Sequence, residues 1–214
     1  MTDRPGLRER KKERTRRSLV EAALRLFEQR GYEETTVDQI ATAADVSRRT
    51  FFSYFPAKED VLFYGMRQRA NLVLEGIRAR PAHEPMIDVL VHAAEEVGRS
   101  PWGAEPLNED LGRVGLRLIR EVPALQARAL YRLALAEAEI VEALRVAYPD
   151  GFDPIMAAAM VGAVVRAGTA AAMAAIRHGQ SPPDARAAAL RAVQVVGGGL
   201  RLDAARPATR CHQQ

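Results

Sequence analysis

Residues 36 to 58, TVDQIATAADVSRRTFFSYFPAK, leave this chain few folds to choose from, because they spell two short helices separated by a sharp turn. Thr36 followed by Gln39 forms a capping box, in which each side chain takes an amide that a helix start leaves free. Val37, Ile40 and Ala41 then fall at i, i+3 and i+4, a single apolar face on a helix too short to stand alone. The pattern breaks at Ala44-Asp45-Val46, where Asp45 is a residue type that tolerates the left-handed backbone a sharp turn demands. Ser47 restarts the helix as an N-cap, Arg48, Arg49 and Thr50 fill its first turn, and Pro56 stops it. Phe51 and Phe55, four apart, pack inward and leave Arg48, Arg49, Thr50 and Tyr54 on the outer side.

A helix that presents Arg-Arg-Thr in its first turn is suited to the major groove of DNA. Lys58 follows at a place where an ammonium reaches a phosphate. Residues 8 to 65 resemble the DNA-binding domain of the TetR-type repressors: a basic first helix, Leu26-Phe27 near its end, Gly31-Tyr32 as its stop, then Thr36 to Lys58. The resemblance implies that Arg48, Arg49 and Thr50 face bases, joined by Phe52 against a thymine methyl, and that Thr36, Ser47, Tyr54 and Lys58 touch the backbone. Two positions depart from the family: Phe52 stands where a tyrosine is common, and Asp45 where glycine is usual.

Charge supports the same reading. Residues 1 to 58 hold 13 Lys+Arg against 9 Asp+Glu, while the remainder holds 18 against 18, so the whole net charge of +4 gathers around the two-helix segment. Basic residues crowd the N-terminal arm, with Arg14 and Arg17 expected at phosphates, a footprint that makes affinity fall steeply with salt. Cys211 is the only cysteine, which rules out an intrachain disulfide and fits a reducing cytoplasm, with the protein associated with the nucleoid. The charged N-terminus has no apolar signal region. Residues 155 to 176 are apolar, but they are rich in alanine and carry Arg166, so a buried helix is expected and no membrane partner.

The rest reads as helices bounded by Pro or Gly: about Glu9 to Arg30, Lys58 to Arg80, Pro85 to Arg99, Leu107 to Glu121, Pro123 to Tyr148, Asp153 to His178 and Pro182 to Leu200. No long segment alternates as a strand does, so the fold class is all-α. The expected organisation is a three-helix DNA-binding domain over 8–58, a connecting helix over 59–80, and a larger helical ligand-binding and dimerisation domain over 81–204. In the resembled family the last two helices pair with their symmetry mates, which implies a homodimer with Gly162, Ala163 and Ala170 as a small-residue face and Leu190 and Val193 as large partners.

Nothing points to catalysis. His83, His92, His178 and His212 lie far apart without an i, i+4 ligand partner, so neither a metal nor a cofactor is expected. Gly197-Gly198-Gly199 follows a helix and lacks a trailing Gly-Lys-Ser/Thr, which makes it a helix terminus and not a phosphate cradle. A ligand-responsive regulator implies an apolar pocket, for which Met86, Trp102, Arg113, Arg117, Tyr131 and Met156 are the candidate lining. Aromatic residues are sparse beyond Tyr64, and Arg113/Arg117 and Arg128/Arg132 stand at i, i+4, a pattern that suits an anionic head group or pairing with nearby Glu109, Asp110 or Glu121. The stretch GLRLIREVPALQARAL resembles a TetR subgroup that includes mycofactocin-type regulators, which implies an apolar or acyl-type inducer. The expected function is a repressor that binds a palindromic operator in double-stranded DNA as a homodimer and is released by a small molecule. A regulator without a ligand, and a helical enzyme, are the alternatives.

Overall fold

The computed structural model describes residues 6–81, 83–100, 109–150 and 152–199, and every regular element among them is helical. In chain order these are α1 (Leu7–Arg30), α2 (Val37–Ala43), α3 (Arg48–Tyr54), a 3-10 helix (Lys58–Phe63), α4 (Tyr64–Ala79), α5 (Met86–Arg99), α6 (Glu109–Glu121), α7 (Pro123–Ala147), α8 (Pro154–Arg177) and α9 (Pro182–Gly199). Trp102 and the loop around it, and residues 200–204 at the expected end of the larger domain, lie outside the described residues.

The sequence signals act where expected. The Thr36 hydroxyl accepts from the Gln39 amide while the Gln39 side chain accepts from the Thr36 amide. Ser47 caps α3 through the Thr50 amide, and Asp153 caps α8 through the amides of Ile155 and Met156. Gly31 ends α1 with φ 89°, a conformation open to glycine at little cost. At the α2–α3 turn Asp45 has φ 54°, and the Val46 amide reaches back to the Ala41 carbonyl at 2.9 Å, so one left-handed residue closes α2 and aims α3. Replacing Asp45 by Val, whose branched side chain crowds this backbone, is expected to cost about 1–2 kcal/mol. Asp45→Gly should be neutral or stabilising, and chemical denaturation of the two variants checks the ordering.

Two apolar cores result. The first is built from Leu19, Ala23, Phe27, Ile40, Phe51, Phe55 and Val61, and it recruits Leu111 and Val114 from α6. The second joins Leu74 and Ile77 of α4, Leu90 of α5, Leu144 of α7, Val161 of α8 and Val193 of α9. Helix α6 therefore packs on the head formed by α1 to α3, although it is far from it in sequence.

Three expectations change. The connector is not one helix: Asp60 accepts from the Ala57 amide at 3.0 Å and winds residues 58–63 into a tight 3-10 turn before α4 begins. The glycine run lies within α9, and Gly197 is a packing position, since a Cβ there would stand 2.4 Å from Val91 Cγ2. Helix α8, long and apolar enough to cross a membrane, is only partly buried: Ala157, Val161, Val164 and Ala175 face inward, while Ala158, Ala159 and Ala170 are exposed.

Candidate nucleic-acid interface and adjoining cavity

Helix α3 rests on Phe51, which is fully buried and meets Phe55 and the edge of Phe52. Its opposite face carries the candidate reading residues. Arg49 is exposed, and Phe52 is 45% exposed, a large apolar ring displayed beside arginine. Arg48 is held in place by Asp38, with Nη1 donating to Oδ2 at 2.7 Å and the guanidinium 5.5 Å from the Phe52 ring centre. The Ser47 and Thr50 hydroxyls are hydrogen-bonded to each other at 2.8 Å, which fixes their rotamers at the helix start. Thr36 and Arg14 are exposed, and Tyr54 is half-buried with Arg16 5.5 Å from its ring centre. Around Tyr64, the hydroxyl donates to the Glu13 carboxylate, and burial together with that bond raises it well above the usual phenol range. Burial, reinforced by Glu59 and Glu33, pushes the Tyr32 hydroxyl up to about 12.

Two of the residues expected at phosphates have partners within the chain. The Lys58 ammonium spends its three donors on the carbonyls of Tyr32 (2.7 Å), Glu33 (3.2 Å) and Thr35 (3.1 Å), 4.3 Å from the Tyr32 ring centre. It is a tie between the 3-10 helix and the α1–α2 turn, because that turn offers three converging acceptors. Arg17 pairs with Glu21 at 3.0 Å and stands with Val20 and Leu24 on the wall of the cavity described next.

Behind the head, a cavity of about 1130 Å³ is lined by α1, the 3-10 helix and α4 to α9. Its wall is mostly aliphatic, with Leu62, Val73, Leu116, Leu133, Val165 and Leu190 among its members and Tyr64 as the one aromatic residue among those described. Of the sequence-based lining set, Arg113 stands on this wall. Arg117 is exposed on α6 and off the wall, Tyr131 is 65% exposed, Met156 is 38% exposed, and Met86 packs against the second core. Reactive or bulky residue types marked those positions, whereas the wall is formed by small aliphatic side chains on the inner helix faces. The dimer set divides too. No atom lies within 4 Å of a Cβ built on Gly162, Ala163 is half-buried and Ala170 is exposed, so these sit on or near the outside of α8. Leu190 packs against Gly98 and Val193 against Gly168 within the same chain.

Between head and cavity lies a cluster the sequence did not single out. Asp60, 4% exposed, accepts from Arg128 at 2.8 Å and from Arg132, and Glu59 lies 3.4 Å from Arg128. The carboxylate raises the Arg128 guanidinium above its ordinary value, chiefly through the hydrogen bond. Arg128 Nε is buried without a hydrogen-bond partner among the described residues. The i, i+4 spacing of the two arginines was visible on α7; their shared partner, on another element, was not.

Residues 19–64 match the family described as bacterial regulatory proteins, tetR family. The transcriptional regulator TcmR of Streptomyces glaucescens is 36% identical over 168 residues, covering 76% of this chain and 74% of TcmR. The regulator HbdR of an Aromatoleum strain is 31% identical over 90 residues, 42% of this chain and 37% of HbdR. A solved TetR-family structure from Syntrophomonas wolfei shares the fold with a TM-score of 0.60 at 15% identity, over 88% of this chain and 97% of that one. Its relatives are regulators and not enzymes. With the capped two-helix reader, the helical body behind it and a relative matched over most of its length, the chain belongs to the TetR family of DNA-binding transcriptional regulators.

Proposed function

We propose that this regulator is a cytoplasmic repressor that binds a palindromic operator as a homodimer and is released by a small molecule filling the cavity. The observation that carries the reading is the cavity itself: about 1130 Å³ of mostly apolar space whose wall includes α1 and the 3-10 helix of the head as well as the helices of the body. A molecule bound there touches both parts, so it favours one of their relative arrangements, and DNA favours another; each then weakens the other by the same factor. The assigned division is a head over 8–58, a connector over 59–80 and a sensor and dimer body from 81 onward, with α6 as the body's contact on the head.

One recognition helix reads one half-site, and a two-fold partner supplies the second about 34 Å away. The exposed alanine face of α8, with Ala158, Ala159 and Ala170, is the surface assigned to that partner, where small side chains let helices approach closely. Selection of binding sites from random-sequence DNA tests the reading. The expected product is an inverted repeat bound by a dimer, and a compound library should contain molecules that dissolve the complex. An asymmetric site bound by a monomer, or a complex that no compound dissolves, overturns it.

On the selected operator, Arg49→Ala is expected to cost about 1–3 kcal/mol and to relax preference at one or two base pairs. Arg14→Ala should weaken all sequences alike and reduce the salt slope by about one. Fluorescence anisotropy over a salt series separates the two.

A further inference from the structure

We infer that Arg132 is the residue at which the effector is sensed, and that the effector is a mostly aliphatic molecule with an anionic end that draws Arg132 from Asp60. The inference rests on the effector-released reading above and adds to it a ligand class and a contact.

Three observations carry it. The wall is mostly aliphatic, with Tyr64 the one aromatic side chain on it among the described residues, which favours a chain or saturated skeleton over stacked rings. Its ionisable members among the described residues are eight arginines, two glutamates and that tyrosine; Arg17, Arg67, Arg120 and Arg132 are paired with carboxylates, and the wall's arginines still outnumber its carboxylates. An apolar space ringed with this excess of cations favours a negative group. Finally, Arg132 alone of the two arginines on Asp60 also stands on the wall; Arg128 binds the same carboxylate but is not among the wall residues. An anion at that end of the cavity therefore competes with Asp60 for one guanidinium and leaves the other in place.

The consequence reaches the head through short links. Asp60 is almost fully buried, so a lost partner is felt as an under-compensated charge. The same carboxylate holds the Ala57 amide, and Lys58, two residues away, ties this turn to the carbonyls of Tyr32, Glu33 and Thr35. A turn freed at Asp60 is thus free to shift the segment that positions α2 and α3. Buried ion pairs contribute little net stability and fix geometry instead, which suits a contact that must be exchanged.

The test uses the full chain, the selected operator and two matched probes, dodecanoate and its neutral amide. The wild type is expected to bind dodecanoate roughly ten-fold or more tightly than the amide, the scale of a charge-assisted hydrogen bond, and to release DNA when saturated with it. Arg132→Met, which keeps the aliphatic stem, should erase that preference. Arg128→Met, which also strips a partner from Asp60, should keep it. If Arg132→Met does not fold, Arg132→Lys replaces it and should show a reduced preference, because a point charge does not reproduce the planar fork. Equal affinity of the wild type for both probes, binding of neither, or an undiminished preference in Arg132→Met or Arg132→Lys overturns the inference. Should a neutral compound from the library still release the operator, the effector reading survives and this ligand class alone falls; should no compound do so, both fall.

Discussion

Phe51→Ala is expected to destabilise the chain by about 3–5 kcal/mol, the range for deleting a buried aromatic ring from a packed core. The ring is fully buried, 5.8 Å from Phe55 and 5.5 Å from Phe52 centre to centre, and lies in a cluster that draws on α1, α2, α3 and α6. Helices α2 and α3 have seven residues each and cannot persist on intrinsic propensity, so their order depends on this packing. Operator binding should therefore vanish near the temperature at which the head melts, well below the wild-type transition. Phe52→Ala is the contrast: at 45% exposure it forfeits little core, so its effect should appear in DNA affinity and not in stability. Thermal unfolding by circular dichroism, with anisotropy on the operator at low temperature, distinguishes the two. A Phe51→Ala loss below about 1 kcal/mol would mean that α3 is held mainly by its caps.

Why was the reading head legible in the sequence while the cavity was not? The head is specified by local chemistry. A capping box, a left-handed aspartate, a second cap and a proline act within a few residues of one another, so their partners are on the same page of the sequence. Helix ends in the body are equally local, set by Pro123, Asp153-Pro154 and Pro182. The cavity is a gap left between helices, and its wall is chosen by how those helices cross; periodicity marks an inner face but not which inner residues remain unopposed. Met156 and Tyr131 look like ligand residues by type and point away, while Gly112, Ala129 and Ala172 look inert and line the space. Leu190 and Val193 read as partner residues because they are large and apolar, and Gly98 and Gly168 open room for them within the chain. The same limit hid Asp60: nothing near residue 60 announces two arginines on α7.

Lys58→Met is expected to lower stability by about 2–3 kcal/mol, or Tm by about 5–10 °C, and to leave the salt dependence of operator binding unchanged. A cation at this position is easily assigned to a phosphate, and a phosphate contact predicts the opposite pattern, a flatter salt slope with intact stability. The distances decide between them. The ammonium makes three hydrogen bonds, to the carbonyls of Tyr32, Glu33 and Thr35, and lies over the Tyr32 ring, so no donor is left for DNA in this arrangement. Removing it takes this donor from three carbonyls beside the buried Thr35, whose hydroxyl already donates to the Gly31 carbonyl. Methionine keeps an apolar stem of similar length, which isolates the lost hydrogen bonds from lost packing. If Lys58→Met flattens the salt slope by about one and leaves Tm in place, the ammonium abandons its carbonyls when DNA binds, and the tie between the 3-10 turn and the α1–α2 turn breaks on the operator.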